Sequence, residues 1–337
     1  MTAIAAESSP PLSDTNWRAM VKRYCRPKVA SSVWQLVNTI VPYFALLGLM
    51  YVCLGRSYLL TLLLAIPAAG FAIRLFIISH DCGHHSFFLS RRLNALVGAV
   101  TAFLVLTPYT YWKNEHARHH ASSGNLDRRG TGDIWTLTTA EYAAQPLPVR
   151  LAYRLYRNPV VLFVIGPLFL FAVNYRFWSK WAGKRERLSV LLTNLALTAM
   201  LVLCHYTIGL KAFVMIQLPV LWLAAVLGVW LFYVQHQFED VSWERNDNWD
   251  FATQAIAGSS YYRLPRLLQW FSANIGFHHI HHLAPRIPNY RLARCHQENP
   301  LFHRARELTL RTSLRSLAYR LWDEQTRRMT SFSGRAA

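Results

Sequence analysis

The chain has 337 residues, of which 53% are hydrophobic and only 16% charged, an apolar balance that excludes an ordinary soluble domain. Its formal net charge of +19 raises nucleic acid as a partner, yet the basic residues flank apolar runs instead of forming one stripe. Arg176, Lys180, Lys184, Arg185 and Arg187 directly follow such a run. That is positive-inside patterning, and it implies anionic lipid headgroups and no nucleic acid. Cys25, Cys53, Cys82, Cys204 and Cys295 are scattered, which argues against a disulfide framework and fits a reducing, cytosol-facing protein.

In chain order, residues 1–32 read as a polar cytosolic tail opening on a Ser-Pro-Pro stretch, with no central apolar segment of the kind a cleavable signal needs. Residues 33–300 read as one membrane domain. Val33 to Leu54 is long enough to span a bilayer, since about 20 apolar residues suffice. Ser57 to Ser79 is a second span, interrupted by Pro67 and carrying Arg74 near its end. Leu93 to Leu106 is apolar but short, and leads into Tyr109, Tyr111 and Trp112, an aromatic belt. Val160 to Val173 is equally short, with Arg154 and Arg157 before it and the basic loop after it. Ser189 to Gly209 and Ala212 to Val234 form an outward and a return span. Residues 301–337 read as a basic tail, amphipathic in parts, on the membrane surface.

Three histidine clusters punctuate this pattern: His80, His84 and His85; His116, His119 and His120; and His278, His279, His281 and His282. On a helix, positions i, i+3 and i+4 share a face, so the second and third clusters each aim three imidazoles at one region, and His80 with His84 gives an i, i+4 pair. Imidazole suits Zn, Cu, Fe or Ni. A structural zinc needs only four ligands, so eight histidines at ligand spacing imply two metals sharing them. The metalloprotease pattern His-Glu-x-x-His is absent, because Asp81, Ala117 and His279 stand where its glutamate would be.

The clusters must meet, so the chain between the first two cannot cross the membrane once. Leu93 to Leu106 and Val160 to Val173 are therefore expected to be re-entrant or interfacial. The predicted fold is all-α and polytopic: four transmembrane helices, two such segments, and a cytosolic helical cap carrying the di-metal site, with both termini cytosolic. Six spans remain the alternative if both short segments cross.

The run His80-Asp81-Cys82-Gly83-His84-His85-Ser86-Phe87-Phe88, with His116-x-x-His119-His120 and His278-x-x-His281-His282, resembles the three boxes of membrane fatty acid desaturases. Ala121 to Asp127, Gly130-Thr131-Gly132-Asp133-Ile134-Trp135-Thr136, Leu231 to Asp240, Asn274 to Phe277 and Pro285 to Tyr290 extend the similarity to the bacterial acyl-lipid branch, over roughly residues 75 to 300. The resemblance implies a di-iron centre held by His80, His84, His116, His119, His120, His236, His278, His281 and His282. His236 enters only through its motif context. In the first box a spacing one residue longer would select His85 in place of His84. His279 should point away, and His205, His296 and His303 are isolated in the sequence. Asp81, Asp133, Glu239 and Asp240 are candidates to hold ligand imidazoles, and Asn274 to hold a metal-bound water.

The chemistry implied is O2-dependent removal of two hydrogens from adjacent methylenes of a phospholipid acyl chain, on the cytosolic side of a bacterial inner membrane. No flavin, nicotinamide or fused cytochrome b5 signature is present, so an external electron donor is expected. The basic face suits an acidic ferredoxin or flavodoxin, with cytochrome b5 ranked behind them. Two other readings stand beside desaturation. A hydroxylase or ketolase would use the same kind of centre, whereas a metal transporter or sensor would place its ligands inside the spans.

Overall fold

The computed structural model describes residues 16–130 and 132–333, so the Ser-Pro-Pro stretch and Thr131 lie outside the described residues. Helix α1 (Trp17–Lys22) is capped by the Asn16 side chain. It buries Trp17 and Val21 in the same apolar core as Ile280 and Leu283. This part of the expected tail is therefore packed against the third histidine cluster.

Helices α2 (Val29–Leu54) and α3 (Tyr58–Gly83) are long and apolar enough to cross a membrane. Most of α2 faces outward. By contrast α3 is largely buried, because Ala65, Ala68, Ala69, Gly70 and Ala72 present a smooth face to its neighbours; small residues let membrane helices approach closely. The helix runs past the expected end at Ser79, so that His80 and Asp81 are helical. A fall in hydropathy marks where the bilayer ends, whereas the backbone stays helical until a cap stops it.

Next come α4 (Arg91–Leu104) and α5 (Tyr109–Ser122), bent 102° relative to each other through Leu106, at φ 57°, and Pro108. The pair begins after the first cluster and ends in the second, so it enters and returns on one side, as parity requires. Strand β1 (Leu137–Thr138) and α6 (Thr139–Ala144), with a Thr138–Glu141 capping box, precede α7 (Leu147–Tyr156). A π-helical turn at Val161–Ile165 and α8 (Gly166–Ala172) follow, bent 62° from α7. Arg157, before this segment, donates to Gln237 Oε1 at 2.9 Å. Glu186 Oε1, after it, accepts from Arg118 Nη1, one residue before His119, at 3.3 Å. Both flanks thus lie on the histidine side, and the segment does not cross.

Helices α9 (Lys184–Tyr206) and α10 (Leu210–His236) complete the four membrane helices found among the described residues. Gly209, at φ +83°, turns the hairpin between them in a conformation that suits glycine. The polar cap then comprises α11 (Phe251–Ala257), β2 (Tyr261–Arg263), α12 (Arg266–Phe271), α13 (His278–Leu283), α14 (Asn289–Glu298), β3 (Glu307–Thr309), α15 (Leu310–Ser313), β4 (Leu321–Asp323) and β5 (Arg328–Thr330).

The C-terminal stretch differs from the tail expected on the membrane surface. It folds back as part of the cap: β3 pairs in parallel with β2, and β4 lies between β1 and β5. Trp322 and Met329 are buried in one core with Tyr233, Val234 and Phe238. Strands of two or three residues are too short to show a period, and outside the β4–β5 hairpin their partners lie far away in the chain.

Candidate metal centre

Four elements deliver nine histidines to one place. His80 stands in the last turn of α3 and His84 at its cap. Helix α5 carries His116, His119 and His120, α10 ends on His236, and α13 carries His278, His281 and His282. Two groups result. In the first, the ring nitrogens of His80, His84, His116, His120 and His281 lie within 4.8 Å of one another. Nε2 of His281 is 2.9 Å from that of His80 and 3.0 Å from that of His120, which is 3.1 Å from that of His116. In the second, the ring nitrogens of His119, His236 and His282 are equally close. His278 Nε2 joins them at 2.9 Å from His236 and 3.1 Å from His282. The stacked rings of His120 and His282, 4.2 Å apart, connect the groups.

Converging Nε2 atoms suit a shared cation, since neutral rings protonated on Nδ1 would otherwise oppose lone pairs. The far side of the rings fits the same purpose. His119 Nδ1 is 2.6 Å from Asp133 Oδ1, His80 Nδ1 3.3 Å from Asp81 Oδ1, and His236 Nδ1 3.2 Å from Gly258 O. A proton on Nδ1 donated to these acceptors leaves the Nε2 lone pair for a metal. His84 has a buried Nε2 with no hydrogen-bond partner. Burial, reinforced by repulsion from neighbouring imidazoles, holds His84, His116, His120, His278, His281 and His282 well below the ordinary imidazole pKa. They are therefore neutral and able to ligate at physiological pH. The donor set could hold two metal ions, one in each group.

The other candidates separate cleanly. His84 joins the centre, whereas His85, at φ 57°, turns its Nε2 to Lys113 Nζ at 3.2 Å. Asp81 Oδ2 accepts from Asn289 N at 2.8 Å and Nδ2 at 2.9 Å, which locks the carboxylate that holds His80. Glu239 and Asp240 reach no imidazole in the centre: Met329 N donates to Glu239 O, and Asp240 pairs with Arg306 at 3.6 Å. Asn274 Oδ1 accepts from Gln269 Nε2 at 2.8 Å. His205 is exposed on α9. His279 points away from the centre, as expected, but His296 and His303 are not isolated. His296 Nδ1 lies 3.3 Å from His279 Nε2, and the rings of His296 and His303 are 4.7 Å apart. Contacts across 17 residues of chain leave no local signal.

Gly258, whose carbonyl orients His236, was not legible as a functional residue, because a backbone acceptor has no side chain to advertise it. Gly276 was quoted only as part of a motif. A Cβ there would stand 2.4 Å from Tyr262 O, so glycine lets the third box pack against β2, where Tyr262 N donates to Gly276 O at 2.7 Å.

Ligands gathered where the membrane helices meet the polar cap belong with a membrane-bound oxidoreductase; a transporter would carry them inside its spans near the midplane. The chain is a member of the fatty acid desaturase family, whose model matches residues 56–312. It is 48% identical over 312 residues to a fatty acid desaturase of Bacillus subtilis, covering 93% of this chain and 89% of that one. It is 26% identical to an sn-1 oleoyl-lipid 12-desaturase of Synechocystis, over 88% of this chain and 85% of that one. To an sn-1 acyl-lipid omega-3 desaturase (ferredoxin) of Nostoc it is 30% identical, over 65% of this chain and 61% of that one.

Proposed function

We propose that this enzyme inserts a cis double bond into the acyl chain of a membrane phospholipid. In this reading iron occupies both histidine groups, five imidazoles holding one ion and four the other. The observation that carries it is the convergence of nine imidazoles in two groups, in a chain whose relatives include desaturases named for acyl-lipid substrates. Bound iron, reduced and exposed to O2, would supply the oxidising power that breaking an unactivated C–H bond needs.

The chain's own residues supply orientation and dryness. Asp133, Asp81 and the Gly258 carbonyl fix the tautomers of His119, His80 and His236, so those three Nε2 atoms are presented without a proton. The imidazoles of His119, His278, His281 and His282 are almost wholly buried, which keeps water from the centre. Electrons arrive from outside: a ferredoxin or flavodoxin fits a basic cytosolic face, and the name of the Nostoc relative includes ferredoxin. The positive-inside flanks support a centre on the cytosolic side of a bacterial inner membrane. Residues 33–300 act as the catalytic membrane domain, with the described residues 301–333 completing its cap.

The test is lipid analysis with double-bond location, in a bacterial host that lacks aerobic desaturation and carries a ferredoxin–reductase pair. A new double bond that requires O2 and vanishes in His281→Ala is the expected result. A hydroxylated chain would overturn desaturation in favour of oxygen insertion.

A further inference from the structure

A cavity of about 440 Å³ lies between α2 and α12, beside the metal centre. Its lining includes the guanidinium side chains of Arg74 and Arg266, the amides of Asn38, Gln269, Asn274 and Asn289, and no carboxylate. Arg74 belongs to a membrane helix and is 4% exposed, yet every acceptor it reaches is neutral. Its Nε donates to Thr39 Oγ1 at 3.2 Å, one terminal nitrogen to Trp270 O, and the other to Asn38 Oδ1 at 3.3 Å. The guanidinium also stacks on the Trp270 ring at 3.9 Å. Arg266 has no ion pair or hydrogen bond among the described residues. Two cations in one cavity without a counter-charge, one of them desolvated, call for an anion, and a guanidinium fork matches phosphate in particular.

The surroundings say what carries that anion. Trp34 on α2 is 66% exposed and lines the cavity, and Leu267, Leu268 and Trp270 on α12 expose apolar surface. Exposed Trp beside a polar niche is the composition of the membrane interface. Helix α12 is held against α3 by Phe271, whose ring occupies the space a Cβ on Gly70 would need. The niche also shares a wall with the centre. Asn289 lines it while donating to Asp81, which holds His80. Arg74 precedes His80 by six residues on one helix, about 9 Å along the axis.

We propose that this cavity seats the phosphodiester of a membrane phospholipid, with Arg74 and Arg266 binding the phosphate and the amides binding the rest of the headgroup. Identifying the bound lipid as substrate rests on the acyl-lipid reading above; the phosphate site itself does not. The two are separated by measuring binding and turnover independently.

Binding is measured by native mass spectrometry on the full chain in neutral detergent, with dioctanoyl phosphatidylglycerol, dioctanoylglycerol and inorganic phosphate as probes. The phospholipid should bind at least about ten-fold more tightly than the diacylglycerol, the scale of one charge-assisted hydrogen bond. Arg266→Gln should lose about that factor and Arg266→Lys should recover part of it. Arg315→Gln, an exposed arginine outside the cavity, should bind the phospholipid as the parent chain does. Equal binding of phospholipid and diacylglycerol, or an unchanged affinity in Arg266→Gln, overturns the site. Inorganic phosphate binding as tightly as the phospholipid overturns the lipid as its occupant. In the turnover arm, Arg266→Gln should lower kcat/KM on phospholipid by about ten-fold. Arg266-dependent phospholipid binding in a protein that desaturates no lipid would keep the phosphate site and refute the acyl-lipid reading. The reverse pattern would refute the site alone.

Discussion

Helix α13 carries four histidines, and they serve two unlike neighbourhoods. His278, His281 and His282 turn into the metal centre, where Nε2 atoms of different elements meet at 2.9 to 3.3 Å. His279, equally buried, turns the opposite way and packs against His296, with His303 beyond it. Along α13 residue type and burial are the same, and the difference lies in what the rings meet. In the centre, Asp133, Asp81 and the Gly258 carbonyl take the Nδ1 side. In the satellite trio no carboxylate stands behind a ring among the described residues, and the Nε2 of His279 meets a single ring nitrogen, that of His296. Clustering alone therefore does not make a ligand set. Rings converging from several helices, with acceptors that fix the tautomers of His119, His80 and His236, do.

The largest effect should separate neighbours on one helix. His281→Ala is expected to cost more activity than the roughly 100-fold that loss of an outer partner can cost, together with iron from the first group. His279→Ala should leave iron per folded chain unchanged and lower only the thermal midpoint. Metal analysis beside a melting curve checks both, and iron loss in His279→Ala would erase the distinction. Next in size are the acceptors. Asp133→Asn and Asp81→Asn should each lower metal affinity or activity by about 10–100-fold. The 2.6 Å contact at Asp133 makes it the more sensitive of the two. Chelator competition measures this, and iron retained as tightly as in the parent protein would show that tautomer control is not what the carboxylates do.

Gly276→Ala tests the packing beneath the centre. Its Cβ would meet Tyr262 O, and overpacking costs typically about 1–3 kcal/mol. A lower denaturation midpoint with unchanged iron per folded chain is expected.

The smallest effect is with pH. Burial pushes His279 to about 3 and His296 to about 4, and holds His84, His116, His120, His278, His281 and His282 of the centre low as well. The native state then binds fewer protons than the unfolded chain once pH falls below the ordinary value near 6.5. Stability of the metal-free protein is thus fully present above that value and declines as pH falls below it, towards 4 and 3 for the satellite pair. Thermal midpoints between pH 8 and 5 measure this decline, and His279→Ala should soften but not remove it. A midpoint that rises on acidification would contradict the buried neutral state of both sets.

The membrane helices were legible because twenty apolar residues in a row have few other uses, and parity alone placed the two bent segments. The box histidines were legible through helical spacing, since α5 and α13 are helices. His236 was not: it stands alone at the end of α10 and meets its partners only in three dimensions, so only motif resemblance found it. The satellite trio and the short strands of the cap stayed hidden for a related reason. Leu137 pairs with Leu321, and nothing local in either segment encodes the other. Arg74 was visible as a charge near the end of a span, but its missing counter-ion could be seen only once α12 was in place.

The most direct test of the central claim is the iron stoichiometry of the purified enzyme, with Mössbauer spectroscopy on protein loaded with the labelled isotope. Two irons per chain in two distinguishable sites, with His119→Ala perturbing one signal and His84→Ala the other, is the predicted result. One iron per chain, or two that respond identically to both substitutions, would contradict the division of nine histidines into groups of five and four.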